Sequence, residues 1–150
     1  MKFRFVWIGK TRDKDWKTLQ DRYLKRLSHF VSCEITEVRE SSKGESKEIE
    51  GNRILQLLNP KSFAILLDVK GETISSHALA ERIEKWQVAS QREIFFIICG
   101  PDGASDELAI RADYRLSLSI LTFTHEMARV LLLEQLYRAF SIIKGLPYQK

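Results

Sequence analysis

The chain has 150 residues, 44% hydrophobic and 29% charged, with a formal net charge of +4 at pH 7, which fits one domain over residues 1–150 with a core of ordinary size. No apolar run reaches the roughly 18–20 residues of a membrane span, because Arg129, Glu134, Gln135 and Arg138 interrupt the greasiest stretch. The opening MKFRFVWIGK lacks the continuous apolar region of a signal peptide, so a cytoplasmic protein is expected, and a modest basic excess suits a polyanionic partner without identifying one.

Residues 3–8 alternate as a strand, with Phe3, Phe5 and Trp7 on one face and Arg4, Val6 and Ile8 on the other. Trp16, Leu19, Tyr23, Leu27 and Phe30 recur at helical spacing, predicting a helix from about Asp15 to Phe30. A second strand is expected over Cys33 to Val38, then a polar loop, RESSKGES, from Arg39 to Ser46. A helix from about Lys47 to Leu58 follows, closed by Asn59-Pro60. FAILLDV, Phe63 to Val69, and IFFIIC, Ile94 to Cys99, are apolar throughout, the mark of strands covered on both faces. Between them Lys70-Gly71 is expected to turn the chain, and Ser75 or Ser76 to cap a helix burying Leu79, Ile83 and Trp86. After Gly100-Pro101-Asp102-Gly103, Ser105 caps a short helix, and a strand from about Tyr114 to Ser119 precedes the last helix.

That last helix begins after Thr124, a candidate N-cap, with Glu126 at the positive end of its dipole. Apolar residues from Met127 to Ile143 cover most of its circumference. A surface helix needs one apolar stripe, so a second buried face is expected, in the core or against another subunit. Gly145 fits the position just past the helix end, and Pro147 stops it from continuing. The regular alternation of strands and helices predicts an α/β fold, a mainly parallel sheet flanked by helices.

In such sheets ligands bind beyond the carboxyl ends of the strands. Three loops qualify: Asp68 to Gly71, Gly100 to Ser105, and Leu118 to Thr124. No dinucleotide fingerprint, phosphate loop or nucleophile elbow is present. His29, His77 and His125 lack metal-ligand spacing, and Cys33 and Cys99 have no paired-cysteine motif, so no metal site and two buried thiols are expected.

LLDVKG, then FIICGPDGAS, then LSLSILTFTHEMARVLLLEQLYRAFSIIKGLPY, together with the opening KFRFVWIGK strand, closely resemble the small SPOUT-class methyltransferases that methylate N3 of a pseudouridine in large-subunit ribosomal RNA. The resemblance spans nearly the whole chain and is most specific in its last third. It implies a C-terminal trefoil knot, an exception to the rule against knots, with S-adenosylmethionine held in it. Leu67 matches the cofactor contact after the third strand, and Gly100 belongs to the glycine turn. Leu118, Ser119, Ile120, Leu121, Thr122 and Phe123 form the loop that wraps the cofactor. The resemblance further implies a homodimer through the C-terminal helix, with ribosomal RNA reaching each site from the partner's side.

An activated methyl needs an in-line acceptor at near-attack distance, and a ring nitrogen must lose its proton on or before attack. Where the family's tail has a histidine after Pro-Tyr, this chain has Gln149, which can hydrogen-bond but cannot act as a base. His125 is the histidine left near the cofactor loop; a catalytic or substrate contact and a structural place at the helix start both fit it. Arg129 sits on a polar position of the helix, open to RNA contact or to intersubunit pairing, and Glu134 with Arg138 forms an i, i+4 pair. Tyr148 is suited to stacking on a base or orienting the target. Cys99 stands where the family commonly has glycine, and Thr124 where it has proline. A knotted methyltransferase acting on another RNA and a non-catalytic ribosome-binding protein of the same fold remain as alternatives.

Overall fold

The computed structural model describes residues 1–42 and 46–148; Gln149 and part of the RESSKGES loop lie outside the described residues. Among the described residues, strands and helices alternate as β1 (Lys2–Ile8), α1 (Lys14–Leu27), β2 (Ser32–Val38), α2 (Lys47–Leu55), β3 (Phe63–Thr73), α3 (Ser76–Val88), β4 (Glu93–Ile98), α4 (Asp106–Arg111), β5 (Tyr114–Ser117) and α5 (His125–Ile143). The five strands form one sheet in the order β2-β1-β4-β3-β5, and every pairing is parallel.

Alternation along the strands divides the core into two layers, as expected from β1. Phe3, Phe5 and Trp7 join Ile65, Ile94, Phe96 and Ile98 on the face covered by α1, α3 and α5, where Leu27, Leu79, Ile83, Leu132, Leu136 and Phe140 meet them. Val6, Ile8, Ala64, Leu66, Phe95 and Ile97 face the other way, under Ile54 of α2 and Leu108 of α4. Each large side chain fully buried in this way contributes about 1.5–3 kcal/mol, so central strands apolar on both faces follow directly from helices on both sides.

Side chains fix the helix starts. Asp13 accepts from the Asp15 and Trp16 amides, Ser75 from Ala78, and Ser105 from Leu108. Thr124 holds the N-cap position of α5 without a side-chain bond; instead the Glu126 carboxylate reaches back to accept from the Arg12 and Asp13 amides of the β1–α1 loop. At the far end Gly145 has φ +65°. The Leu146 amide donates to Ser141 O at 2.8 Å and the Gly145 amide to Ile142 O at 3.1 Å, the paired bonds of a glycine-terminated helix.

Three boundaries differ most from the sequence reading. Helix α1 stops at Leu27, where the Ser28 hydroxyl bonds Leu24 O at 2.7 Å and competes with the helical ladder; Phe30 is nonetheless half-buried in a turn, stacked on Phe140 at 5.5 Å. Helix α2 stops at Leu55, tightening through Leu57 N to Ile54 O and Leu58 N to Leu55 O. Lys70-Gly71 does not turn the chain, because β3 runs on to Thr73. Its register against β5 jumps from Leu67 opposite Leu116 to Glu72 opposite the same residue, so residues 68–71 form a bulge, a device that redirects side chains beside functional sites.

Candidate active site

The three loops expected to carry a ligand do converge. They surround a cleft of about 540 Å³ at the carboxyl edge of the sheet, between the β3 bulge (Asp68, Val69, Lys70), the β4 turn (Gly100 to Ala104) and the segment after β5 (Leu118, Ser119, Leu121, Thr122, Phe123). Each wall has a local cause. The bulge pushes Asp68 out of the ladder, where its carboxylate accepts from Arg115 Nη2 at 2.6 Å and from the Lys70 amide at 3.0 Å. Burial opposes ionisation of Asp68, but these two donors hold its carboxyl below the usual range. The β4 turn is closed by the Gly103 amide donating to Gly100 O at 3.0 Å, with φ +78° at Gly103.

The segment after β5 has a different character. Residues 119–123 make no backbone–backbone hydrogen bond among the described residues; the Ser117 hydroxyl donates to Ser119 O and the Leu121 amide donates to the Ser119 hydroxyl. A stretch of open amides and carbonyls next to Leu67, Ile98, Leu118 and Phe123 combines hydrogen-bonding groups with apolar surface. Those properties fit the adenine ring, ribose and amino-acid end of S-adenosylmethionine.

Of the residues expected to bind cofactor, Leu67, Gly100, Leu118, Ser119, Leu121, Thr122 and Phe123 all line the cleft. Ile120 belongs to the same segment but is not part of the lining; it is 82% exposed.

His125, the first residue of α5, is half-buried on the cleft wall. Burial lowers its pKa, the nearby charge of Arg129 adds to that, and Glu50 opposes it. Its imidazole is therefore biased toward the neutral form, which can accept a proton. Cys99 also faces the cleft, and burial, assisted by the charges of Glu50 and Asp68, pushes its thiol up to about 12. The thiol stays protonated and is a poor competitor for an electrophilic methyl.

Arg129 is not where the sequence placed it. It is 2% exposed, with Nη2 donating to Ile8 O at 2.6 Å and Nη1 to the Thr11 hydroxyl at 2.9 Å, and its guanidinium 5.0 Å from the Trp7 ring. The Thr11 hydroxyl in turn donates to Gln20. The reading of Arg129 as open to RNA or to a partner is therefore corrected, because the free carbonyl at the end of β1 draws it inward. In this position it clamps the start of α5, and with it His125, to the sheet.

Tyr148 lies elsewhere. Its hydroxyl donates to Glu134 at 2.9 Å, and its ring sits 4.7 Å from Tyr137 and 4.9 Å from the Arg138 guanidinium. Glu134 also accepts from Arg138 Nη2 at 2.6 Å and Gln135 Nε2 at 2.8 Å, so the expected i, i+4 pair forms. Burial, then hydrogen bonding to Tyr23 and Glu134, pushes the phenol of Tyr148 above its ordinary range. Glu134 stands nine residues beyond His125 on α5, about 14 Å of helix, so the tail cluster sits against the middle of the helix and apart from the cleft at its start.

Sequence reasoning missed Glu50, the contact of Glu126 with the Arg12 and Asp13 amides, and the Asp68–Arg115 pair. Asp68 was in view inside LLDVKG, but its partner is 47 residues away in sequence. Glu50 gave no signal, being one acid among several on a polar helix. Among the described residues no group of three His, Cys, Asp or Glu is placed to hold a metal, and no helix is long and apolar enough to cross a membrane.

Comparison with known proteins gives this geometry a family. The family described as "Predicted SPOUT methyltransferase" matches residues 1–149. The ribosomal RNA large subunit methyltransferase H of Desulfotalea psychrophila is 40% identical, with 100% of both chains covered. The protein of the same name from Clostridium botulinum (strain Kyoto / Type A2) is 41% identical over the same full extent. Among solved structures, "a probable methylase family protein" from Haemophilus influenzae has a TM-score of 0.57 at 16% identity, over 99% of this chain and 70% of that one, a likeness of fold. With a family match along essentially its whole length and full-length relatives at about 40% identity, the chain belongs to the SPOUT methyltransferases.

Proposed function

We propose that the protein transfers a methyl group from S-adenosylmethionine to N3 of a pseudouridine in large-subunit ribosomal RNA, working as a homodimer in the cytoplasm, with the family's knotted crossing around the segment after β5. The observation that carries this reading is the cleft itself, open along an unpaired backbone segment in a chain whose full-length relatives are named ribosomal RNA large subunit methyltransferases. When bound, the cofactor supplies an activated methyl whose leaving group departs as a neutral thioether. The chain's own residues do the rest. Leu67, Leu118 and Phe123 exclude water from the reacting centre, the open amides and carbonyls of residues 119–123 hold the donor in one orientation, and His125 takes the N3 proton as the nitrogen–methyl bond forms.

Charge supports an RNA substrate. Residues 10–29 hold seven Lys and Arg against three Asp, an excess equal to that of the entire chain, so the remainder is balanced. Lys10, Arg12, Lys14, Lys17, Arg22, Lys25 and Arg26 are all exposed. A polyanion therefore meets a basic α1 first.

The separation of the two clusters supports the dimer. Tyr148 is held at mid-helix, about 14 Å along α5 from His125 of its own cleft, while Met127, Leu131 and Ile142 of α5 remain only partly covered. A second copy packed on α5 covers them and brings a tail to each cleft.

The test is transfer of labelled methyl from the cofactor to ribosomes with and without pseudouridine at the target position. Label on the modified particles alone is expected; equal labelling of both, or of neither, overturns the substrate assignment. His125→Ala is expected to lower turnover on the order of 10²-fold while cofactor affinity changes by less than about threefold. Because the imidazole must be neutral to act, wild-type turnover rises as pH climbs through the lowered His125 pKa. The variant should lack that limb and recover only where the imide ionises unaided. Unchanged turnover removes His125 as the base.

A further inference from the structure

Glu50 is the only buried carboxylate among the described residues, 8% exposed. It projects from α2, and its Oε2 accepts from the Ser41 amide at 2.9 Å and the Ser41 hydroxyl at 2.8 Å. No ion pair joins it to another described residue. A buried anion without a counter-charge is costly, and a fold that places one has a cation to receive or an energy to lose. Its Oε1 lies under the glycine turn of the cleft: a methyl group added at Gly100 would sit 3.0 Å from it. Gly100 itself lines the cleft and has no side chain to fill the gap, so the carboxylate lies directly behind one residue of the cleft wall. Its charge reaches that space, since it raises the pKa of both Cys99 and His125, two residues of the cleft wall. Of the carboxylates that line the cleft, Asp68 is already paired with Arg115 at 2.6 Å, and Asp102 and Asp106 are exposed, where water screens their charge.

We propose that Glu50 is the counter-charge of the cofactor's sulfonium, a specificity-determining residue that favours the cationic methyl donor over the neutral thioether left after transfer. The inference rests on the cofactor reading above. It implies that transfer itself loosens the cofactor: once the methyl has moved, the sulfur carries no charge, and the attraction from beneath Gly100 disappears while every other contact stays. Lys47, Lys70 and Arg115 also border the cleft, but they repel a cation and so cannot supply this preference.

The experiment is calorimetric titration of the full chain with S-adenosylmethionine and, separately, with S-adenosylhomocysteine. In Glu50→Gln the amide keeps the shape and can still accept from Ser41, but the charge is gone. The Kd for S-adenosylmethionine is expected to rise on the order of tenfold, with that for S-adenosylhomocysteine unchanged within about twofold. Parallel weakening of both ligands means a structural role and overturns the proposal, as does no change in either. Where Glu50→Gln does not fold, Glu50→Asp serves: it withdraws the charge from Gly100 by one methylene and is expected to shift the ratio of the two affinities about two- to threefold in the same direction. An unmoved ratio there is again fatal. If the wild-type protein binds neither ligand, the cofactor reading itself falls and this inference with it.

Discussion

Gly71→Ala is expected to destabilise the protein by about 2–4 kcal/mol, a fall in Tm of roughly 5–15 °C for a chain of this size, and to weaken cofactor binding at the same time. A Cβ built on Gly71 lies 2.7 Å from both the carbonyl carbon and oxygen of Arg115 and 2.9 Å from the carbonyl carbon of Leu116. These are backbone atoms of β5, so no side chain can swing aside. The clash is relieved only by moving β3 and β5 apart where their register jumps. That seam carries the site. The bulge it creates presents Asp68 to Lys70 to one wall of the cleft, and β5 leads straight into the segment from Leu118 to Phe123 on the other. Gly103→Ala is the fitting comparison, because nothing lies within 4 Å of a Cβ there and the only penalty is the left-handed backbone at φ +78°, about 1 kcal/mol. Thermal melts of the two variants with and without S-adenosylmethionine measure the difference; equal Tm values show that the seam yields without cost.

The same glycine marks how far the sequence can be read. The all-apolar runs FAILL and IFFII have one stable solution, burial between two helical layers, and the alternation in KFRFVWI assigns each residue to its layer. Local rules of that kind are complete within a few residues. Lys70-Gly71 has the composition of a turn, but it is a bulge because of what β5 places against it, some 45 residues away in sequence. Arg129 follows the same logic. Its spacing marks a polar face of α5, and only the tertiary position of Ile8 O and the Thr11 hydroxyl makes burial the better outcome. The loops of the site were legible because parallel strands must end at a common edge and Gly-Pro-Asp-Gly must turn there. Glu50 was not, since its importance lies in the absence of a side chain on Gly100, 50 residues further on.

Two inactive proteins are expected to regain activity when expressed together. Ser119→Trp fills the cleft and disables cofactor binding in its own chain. Tyr148→Ala removes the ring held by Tyr137, Arg138 and Glu134 in the middle of α5. Each homodimer lacks one half of the site. In a mixed dimer the Tyr148→Ala chain still has an open cleft and the Ser119→Trp chain still has an intact tail. If the tail acts across the dimer, those two halves meet and one of the two sites is whole. Random pairing makes half of the dimers mixed, so about a quarter of the wild-type activity is expected. If the tail acts on its own cleft, no pairing of these chains contains a complete site, and activity stays at the level of the separate variants. The geometry favours the first outcome, because Glu134, Tyr137 and Arg138 hold Tyr148 at least nine residues, about 14 Å, along α5 from His125, and reaching its own cleft would mean abandoning all three contacts.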